Sequence, residues 1–384
     1  MKSVGFVTRY PPTHCGIAEY SKFLISALRS LNPKMRVTVF TTNESREEKY
    51  VDEIGAEVIP CFSRFEKDYS GLIDAVNENR VEVLHVQHEY GIFGSGNEIL
   101  KALKELKEEK IVKATVVTTH TVDHPYTARP EVFEFQKSLS MADAIVVHSD
   151  LQEFELITQG LDVAKLHQIP HGTLINPYLG YTKQFLARSL GLKEEFCGLV
   201  LAIPGFMRKD KGIDILLQAL DYMDDLKFTI VLAGEPRDEF IREMVEEFKS
   251  RTVLIERYLS SDEILRVVAL ADAIVLPYKD RKGAYAVSGI LHLSMGGLKP
   301  IIGSRSPRLV ELCQFAPLMT IPPNNAEELA KRVRWLKNNY EFTVSYMSEL
   351  YAYAARTQWI SVAHEHYRLY EELTGRRERF DAGF

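Results

Sequence analysis

The chain is poor in cysteine. Cys15, Cys61, Cys197 and Cys313 are scattered without a Cys-x-x-Cys spacing, which fits a reducing compartment and argues against structural zinc. No apolar run approaches membrane-spanning length. The opening Met1-Lys2-Ser3-Val4-Gly5-Phe6-Val7 enters an apolar stretch too short for a signal sequence, so the expectation is a cytoplasmic protein. Excess basic charge is also missing. The formal net charge is -6, with 19 Lys+Arg against 25 Asp+Glu through Gly172 and 28 of each beyond it. Nucleic acid is therefore not an expected partner. Lys101, Lys104, Lys107, Lys110 and Lys113 are interleaved with Glu105, Glu108 and Glu109, which reads as a solvated mixed-charge helix face, favoured over peripheral membrane contact.

The usual signatures of several α/β enzymes are absent as well. Gly94-Ser95-Gly96 comes nearest to the dinucleotide fingerprint, but Ile99 takes the third glycine position, which argues against a dehydrogenase. There is no G-x-x-x-x-G-K-[ST] loop and no G-x-S-x-G elbow, so triphosphate hydrolysis and acyl-serine chemistry lack their machinery. His85 and His88 fall on opposite faces of one strand, a poor chelate. No metal site is expected.

What is present is a repeat. Ala142-Asp143-Ala144-Ile145-Val146 recurs as Ala271-Asp272-Ala273-Ile274-Val275, each copy reading as a junction from helix into buried strand. Around each copy, apolar runs of strand length alternate with amphipathic stretches of helix length. In the first half the runs are 4–8, 36–41, 81–87, 114–119, 144–148 and 166–170. In the second they are 199–203, 228–233, 252–256, 273–277, 300–303 and 318–321. The pattern predicts an α/β protein with two Rossmann-like parallel-sheet domains facing a cleft. The Gly, Pro and Asn between His171 and Tyr181 mark a linker. The expected divisions are an acceptor domain over 1–172, a donor domain over 173–358, and a terminal segment over 359–384 crossing back to the first domain. Three helices are expected to close the chain, the last over about 359–373, with residues after Thr374 fraying.

Three loops stand between a strand and a helix, where backbone N–H groups and the helix dipole favour anions. Gly205-Phe206-Met207-Arg208-Lys209-Asp210-Lys211-Gly212 adds cations to such a loop and suits a phosphate or diphosphate. Tyr10 through Ala18 contains Gly16, which lets a substrate approach the backbone. Gly283 through Ile290 offers Ser288 and Gly289 as an uncharged phosphate clasp.

With these loops in hand, the chain resembles the retaining glycosyltransferases of family four, which have the GT-B fold. The resemblance is carried by the Pro-Pro-x-x-x-Gly loop ending at Gly16, by His88-Glu89-Tyr90-Gly91-Ile92-Phe93-Gly94 and by Thr119-His120-Thr121. It continues through Ile169-Pro170-His171-Gly172, Arg208 and Lys211 before Gly212, Ser288-Gly289 and Lys299-Pro300-Ile301-Ile302. It implies transfer of a hexose, mannose or glucose, from a nucleotide-diphosphate sugar such as GDP-mannose or UDP-glucose to a sugar or small polar acceptor, with no cofactor. Site roles follow by resemblance. Arg208 and Lys211 stabilise the leaving diphosphate, joined by Gly16, Ser288 and Gly289 in donor binding. His120 contacts the donor sugar, and His88, Glu89 and Tyr90 serve the acceptor. Two departures stand out. Phe206 occupies the place where most members carry arginine, and Tyr285 and Leu293 occupy the places of a paired glutamate, the second of which holds the nucleotide ribose.

A glycoside phosphorylase on the same scaffold is the first alternative, because the ribose-binding glutamate is missing. A non-catalytic sugar or nucleotide binder is the second. A nucleotide-sugar epimerase would need a pair of acid/base carboxylates that the chain does not offer. Oligomeric state is left open.

Overall fold

The computed structural model describes residues 1–375 except 128, 194–195, 197, 238, 249–251 and 280. Cys197 and the tail after 375, most of the stretch expected to fray, lie outside the described residues. The chain forms two compact units. One comprises Met1–Gly172, Gly283–Val287 and the chain from Trp359 onward; the other comprises Thr173–Lys282 and Ser288–Gln358.

The first unit is built on β1 (Ser3–Val7), β2 (Arg36–Thr42), β3 (Tyr50–Val51), β4 (Glu57–Phe62), β5 (Val83–His88), β6 (Ala114–Thr119), β7 (Thr121–Asp123), β8 (Ala144–Val147) and β9 (Leu166–Gln168). Its main sheet has the order β3-β4-β2-β1-β5-β6-β8-β9 and is parallel except where β3 meets β4. Strands β5, β6 and β8 are buried along their whole length, as expected of a sheet covered on both faces. All six apolar runs of this half became strands. The sequence reading missed β3 and β4, which sit at the sheet margin with half-exposed residues, and the short β7.

The second unit carries β10 (Leu199–Pro204), β11 (Phe228–Gly234), β12 (Val253–Glu256) and β13 (Ala273–Leu276). After the short β14 (Ala284–Ala286) it continues with β15 (Ile301–Ser304) and β16 (Thr320–Ile321). Its parallel sheet runs β12-β11-β10-β13-β15-β16. Strand β14 belongs to the first unit, where it pairs antiparallel with β7. Among the described residues, four helices follow β16, over Ala326–Asn338, Tyr340–Tyr346, Ser348–Arg356 and Trp359–Leu373. The expectation of three is corrected because Asn339 and Met347 both leave helical dihedrals and break the run.

The pentapeptide repeat has the same structural job in each unit. Asp143 Oδ2 accepts the backbone N–H of Thr115 at 2.8 Å and Lys107 Nζ at 2.7 Å. Asp272 Oδ2 accepts the backbone N–H of Val200 at 2.8 Å and Lys183 Nζ at 2.6 Å. In both cases the carboxylate closes the first rung of the neighbouring strand, satisfying a donor that would otherwise be orphaned.

In each sheet the strand order reverses at one strand, where the chain builds outward on one side and then returns to build on the other. These strands are β1, between β2 and β5, and β10, between β11 and β13. The loops at the carboxyl ends of such strands splay apart and collect ligands.

Candidate functional site

In the second unit, three loops at the carboxyl ends of β10, β13 and β15 meet. Gly212 makes this possible: it has φ +68°, and a Cβ there would lie 1.8 Å from the Pro277 carbonyl oxygen. Lys279 N–H donates to the Asp210 carbonyl at 3.0 Å, tying the β13 loop to the β10 loop. Arg208, exposed on its loop, pairs with Asp210 at 3.0 Å. Lys211 Nζ lies 3.8 Å from the centre of the Tyr278 ring. Lys209 is turned elsewhere, over Phe240.

Arg308, from the loop after β15, is a residue the sequence reading missed. Its guanidinium pairs with the Asp210 carboxylate, donates to the Asp210 and Lys279 carbonyls at 2.9 and 3.2 Å, and lies 4.7 Å from the Tyr278 ring centre. No spacing in the sequence links a residue 98 positions away to this loop.

Electrostatics set the character of the site. Burial would raise the Asp210 pKa, but Arg208, Arg308 and Lys211 outweigh it and hold the carboxyl below its ordinary value. Burial lowers the Lys211 pKa; Tyr278 opposes that, while Arg308 and Arg208 push it the same way. Among the described residues, three cations thus surround one carboxylate, which leaves a net positive seat. Ser288 is spoken for within the fold. Its hydroxyl caps the helix Gly289–Met295 and lies 2.9 Å from Tyr278 Oη, while Gly289 opens that helix and is partly exposed.

In the first unit, Gly16 begins the helix Gly16–Leu31, and a Cβ added there would meet no atom within 4 Å. The helix has no side-chain cap, so its first N–H groups have no acceptor from the capping residue. Glu89 and Tyr90 lie at the carboxyl end of β5. Glu89 is half-buried and accepts the Thr121 hydroxyl at 2.8 Å. Burial raises its pKa, opposed by Thr121 and the amides of Gly91 and Tyr90. Tyr90 Oη donates to Gln136 at 3.0 Å. His88 requires a correction. It is fully buried, with its ring 4.1 Å from Phe135 and 5.5 Å from Phe93, centroid to centroid, and burial pushes its pKa down to about 3. With no exposed surface it is a packing residue, not an acceptor contact.

His120 is buried at the end of β6, its ring edge-on to Tyr20 at 4.7 Å. Nε2 lies 2.9 Å from the Gln87 carboxamide and Nδ1 lies 3.4 Å from His148 Nε2. His148 Nδ1 must donate to the Ile169 carbonyl at 2.9 Å, so in a neutral ring its Nε2 is bare. The Gln87 carboxamide spans two imidazoles: its oxygen accepts from His120 Nε2, and its NH2 lies 3.2 Å from His85 Nε2. Burial, with smaller contributions from the neighbouring imidazoles, keeps the His120 pKa well below its ordinary value. Both its ring nitrogens face protein groups. Among the described residues no group of three His, Cys, Asp or Glu side chains is arranged to hold a metal ion, and no helix is long and apolar enough to cross a membrane.

This architecture has known counterparts. Residues 198–339 match the family described as Glycosyl transferases group 1. A glycogen synthase of Methylocella silvestris is 29% identical over 124 residues, 32% of this chain and 24% of that protein. The chain therefore aligns with about a quarter of the curated relative it matches. Among solved structures, the sucrose-phosphate synthase of Thermosynechococcus elongatus superposes with a TM-score of 0.76 at 15% identity, covering 98% of this chain and 100% of that one. Anabaena HepE in complex with UDP and glucose gives 0.73 at 15% identity, covering 97% and 100%. The fold is that of the GT-B glycosyltransferases. Within it, residues 198–339 form a Glycosyl transferases group 1 domain.

Proposed function

We propose that this protein is a retaining, metal-independent glycosyltransferase that moves a hexose from a nucleotide-diphosphate sugar to a sugar or small polar acceptor. The observation that carries the reading is the net positive seat of Arg208, Lys211 and Arg308, built at the carboxyl edge of the sheet inside the matched domain. A diphosphate supplies the negative charge that seat lacks. As the bond from the sugar C1 to the phosphate oxygen breaks, its electron pair goes to the diphosphate, where preorganised cations stabilise the growing charge. The acceptor hydroxyl oxygen bonds to C1 on the same face, and its proton passes to the departing phosphate oxygen. No protein carboxylate pair is needed, unlike in a glycosidase, which is consistent with Tyr285 and Leu293 at the glutamate places. Gly289 and the N–H groups at the start of its helix serve the diphosphate, and Gly16 leaves room at the first unit. Glu89 and Tyr90 serve acceptor hydroxyls.

Glucose from UDP-glucose is the first donor to test, because one structural neighbour binds UDP and glucose. A thermal-shift panel of UDP, GDP, ADP and inorganic phosphate separates the readings, since a ligand of the folded state raises the melting point. Stabilisation by one nucleoside diphosphate, with EDTA present throughout, is the expected result. Stabilisation by phosphate alone favours the phosphorylase, and no shift with any of the four overturns the donor site.

A further inference from the structure

The carboxyl edge of the first sheet has a second concentration of cations, and neither the resemblance nor the mechanism above uses it. Arg9 follows β1, Glu44 follows β2 and Arg64 follows β4, so three loops of adjacent strands bring these side chains together. Arg9 Nη2 lies 2.8 Å from Glu44 Oε2, and Arg64 Nε lies 3.7 Å from Glu44 Oε1. One carboxylate is thus shared by two guanidiniums, held closely by Arg9, also by the Thr42 hydroxyl at 3.4 Å, and only distantly by Arg64. The Glu44 side chain is 32% exposed, while that of Arg9 is 18% exposed. Arg9 Nε is buried with no hydrogen-bond partner. Arg64 Nε also donates to the Gly91 carbonyl at 3.0 Å, which anchors it to the turn whose first residues are Glu89 and Tyr90.

The charge balance is unusual for its surroundings. The half of the chain up to Gly172 is acidic overall, yet this patch has two cations to one anion. Guanidiniums bind planar or tetrahedral oxyanions through pairs of parallel N–H donors, and they lose little on burial compared with an ammonium. Glu44 occupies, from within the chain, the place an external oxyanion would take.

We propose that Arg9 and Arg64 form an anion seat for the acceptor, so that the acceptor is a charged sugar, a sugar phosphate or a uronate, with its hydroxyls toward Glu89 and its anionic group between the two guanidiniums. Glu44 competes for the same seat and is displaced when the acceptor binds. This rests on the acceptor role given to the first unit under Proposed function, but its test is direct binding and needs no transfer.

Calorimetric titration of the whole protein with glucose 6-phosphate, glucuronate and glucose tests the idea. At least one of the two anionic sugars binds at least tenfold more tightly than glucose, and which one does so identifies phosphate or carboxylate as the group read. Arg9→Gln and Arg64→Gln each remove that preference while leaving nucleoside diphosphate binding unchanged, which also shows that the variants are folded. Glu44→Gln tightens binding of the anionic sugar several-fold, a gain that misfolding cannot imitate. Equal affinity for glucose and both anionic sugars, or an anionic preference indifferent to the arginine substitutions, overturns the proposal. Failure of nucleotide binding in the thermal-shift panel would overturn the donor reading instead and leave this result standing.

Discussion

Lys211 and Arg308 sit in the same cluster but hold different places in its energetics. Lys211 is half-buried over a tyrosine ring with two guanidiniums near it, and its pKa is lowered, so without a ligand it is a strained cation. Arg308 ties together the β10 and β13 loops through two backbone carbonyls and the Asp210 carboxylate. Lys211→Met should therefore lower turnover by about a hundredfold, the scale for losing one preorganised donor at developing charge, with a melting temperature equal to or above that of the parent. Arg308→Ala should lower both, because two carbonyls and a carboxylate lose their partner at about 1–3 kcal/mol for such a group. Paired melting and product assays on the two variants decide the matter. A Lys211→Met variant that melts earlier, or that turns over near the parent rate, removes the strained-cation account.

At the scale of elements, the repeated Ala-Asp-Ala-Ile-Val junction is a device for starting a parallel strand. Each aspartate accepts the N–H of the second residue of the adjacent strand and a lysine from a neighbouring helix. Asp272→Ala leaves the Val200 N–H without its acceptor and should cost about 1–3 kcal/mol, whereas Asp272→Asn keeps an oxygen there and should cost less than half as much. Asp143→Ala should behave alike in the first unit, and the two effects should add because the sites share no partner. Urea melts of the single and double variants measure this; a near-neutral Asp272→Ala would mean that water replaces the carboxylate. The repeat also shows what sequence reveals. Alternation of buried strands and amphipathic helices is local, and it located every central strand of both sheets. The loops Arg208–Gly212 and Tyr10–Gly16 were legible because their residue types and their place after a strand lie within a few positions. Illegible features depend on distant partners. Strand β7 needs β14, some 160 residues on; Arg308 needs Asp210; and the burial of His88 follows from Phe135 and Phe93, which no periodicity in β5 announces. His120 was found as a strand-end histidine, but the polar chain through Gln87, His148 and Ile169 follows only from the folded sheet.

At the scale of the whole molecule, two sets of buried titratable groups, one in each unit, pull stability in opposite directions with pH. The first unit buries five imidazoles, His85, His88, His120, His148 and His366, each with its pKa lowered chiefly by burial, His148 and His366 to about 4 and His88 to about 3. In the unfolded chain these rings take up protons near pH 6.5, while in the folded protein they stay neutral. Their contribution is therefore fully present above pH 6.5 and is lost as the pH falls toward 4. In the second unit one buried carboxyl, Glu311, acts the other way. Glu311 is buried 3.4 Å from His292, and burial raises its pKa to about 7. Its protonated form is favoured in the folded state, so that stability is fully present below the unfolded carboxyl value and is lost as the pH rises through 7. A tenfold difference in proton affinity between the folded and unfolded states corresponds to about 1.4 kcal/mol, enough for the opposing trends to appear. Hydrogen exchange read by mass spectrometry at pH 5 and pH 8, corrected for the intrinsic exchange rate, should show the β5, β6 and β8 peptides better protected at pH 8. Peptides from the helices Gly289–Met295 and Val310–Phe315 should be better protected at pH 5, and Glu311→Gln should abolish that second difference while leaving the first intact. If protection in both units moves in the same direction with pH, the neutral histidine cluster and the protonated glutamate do not govern stability as their burial implies.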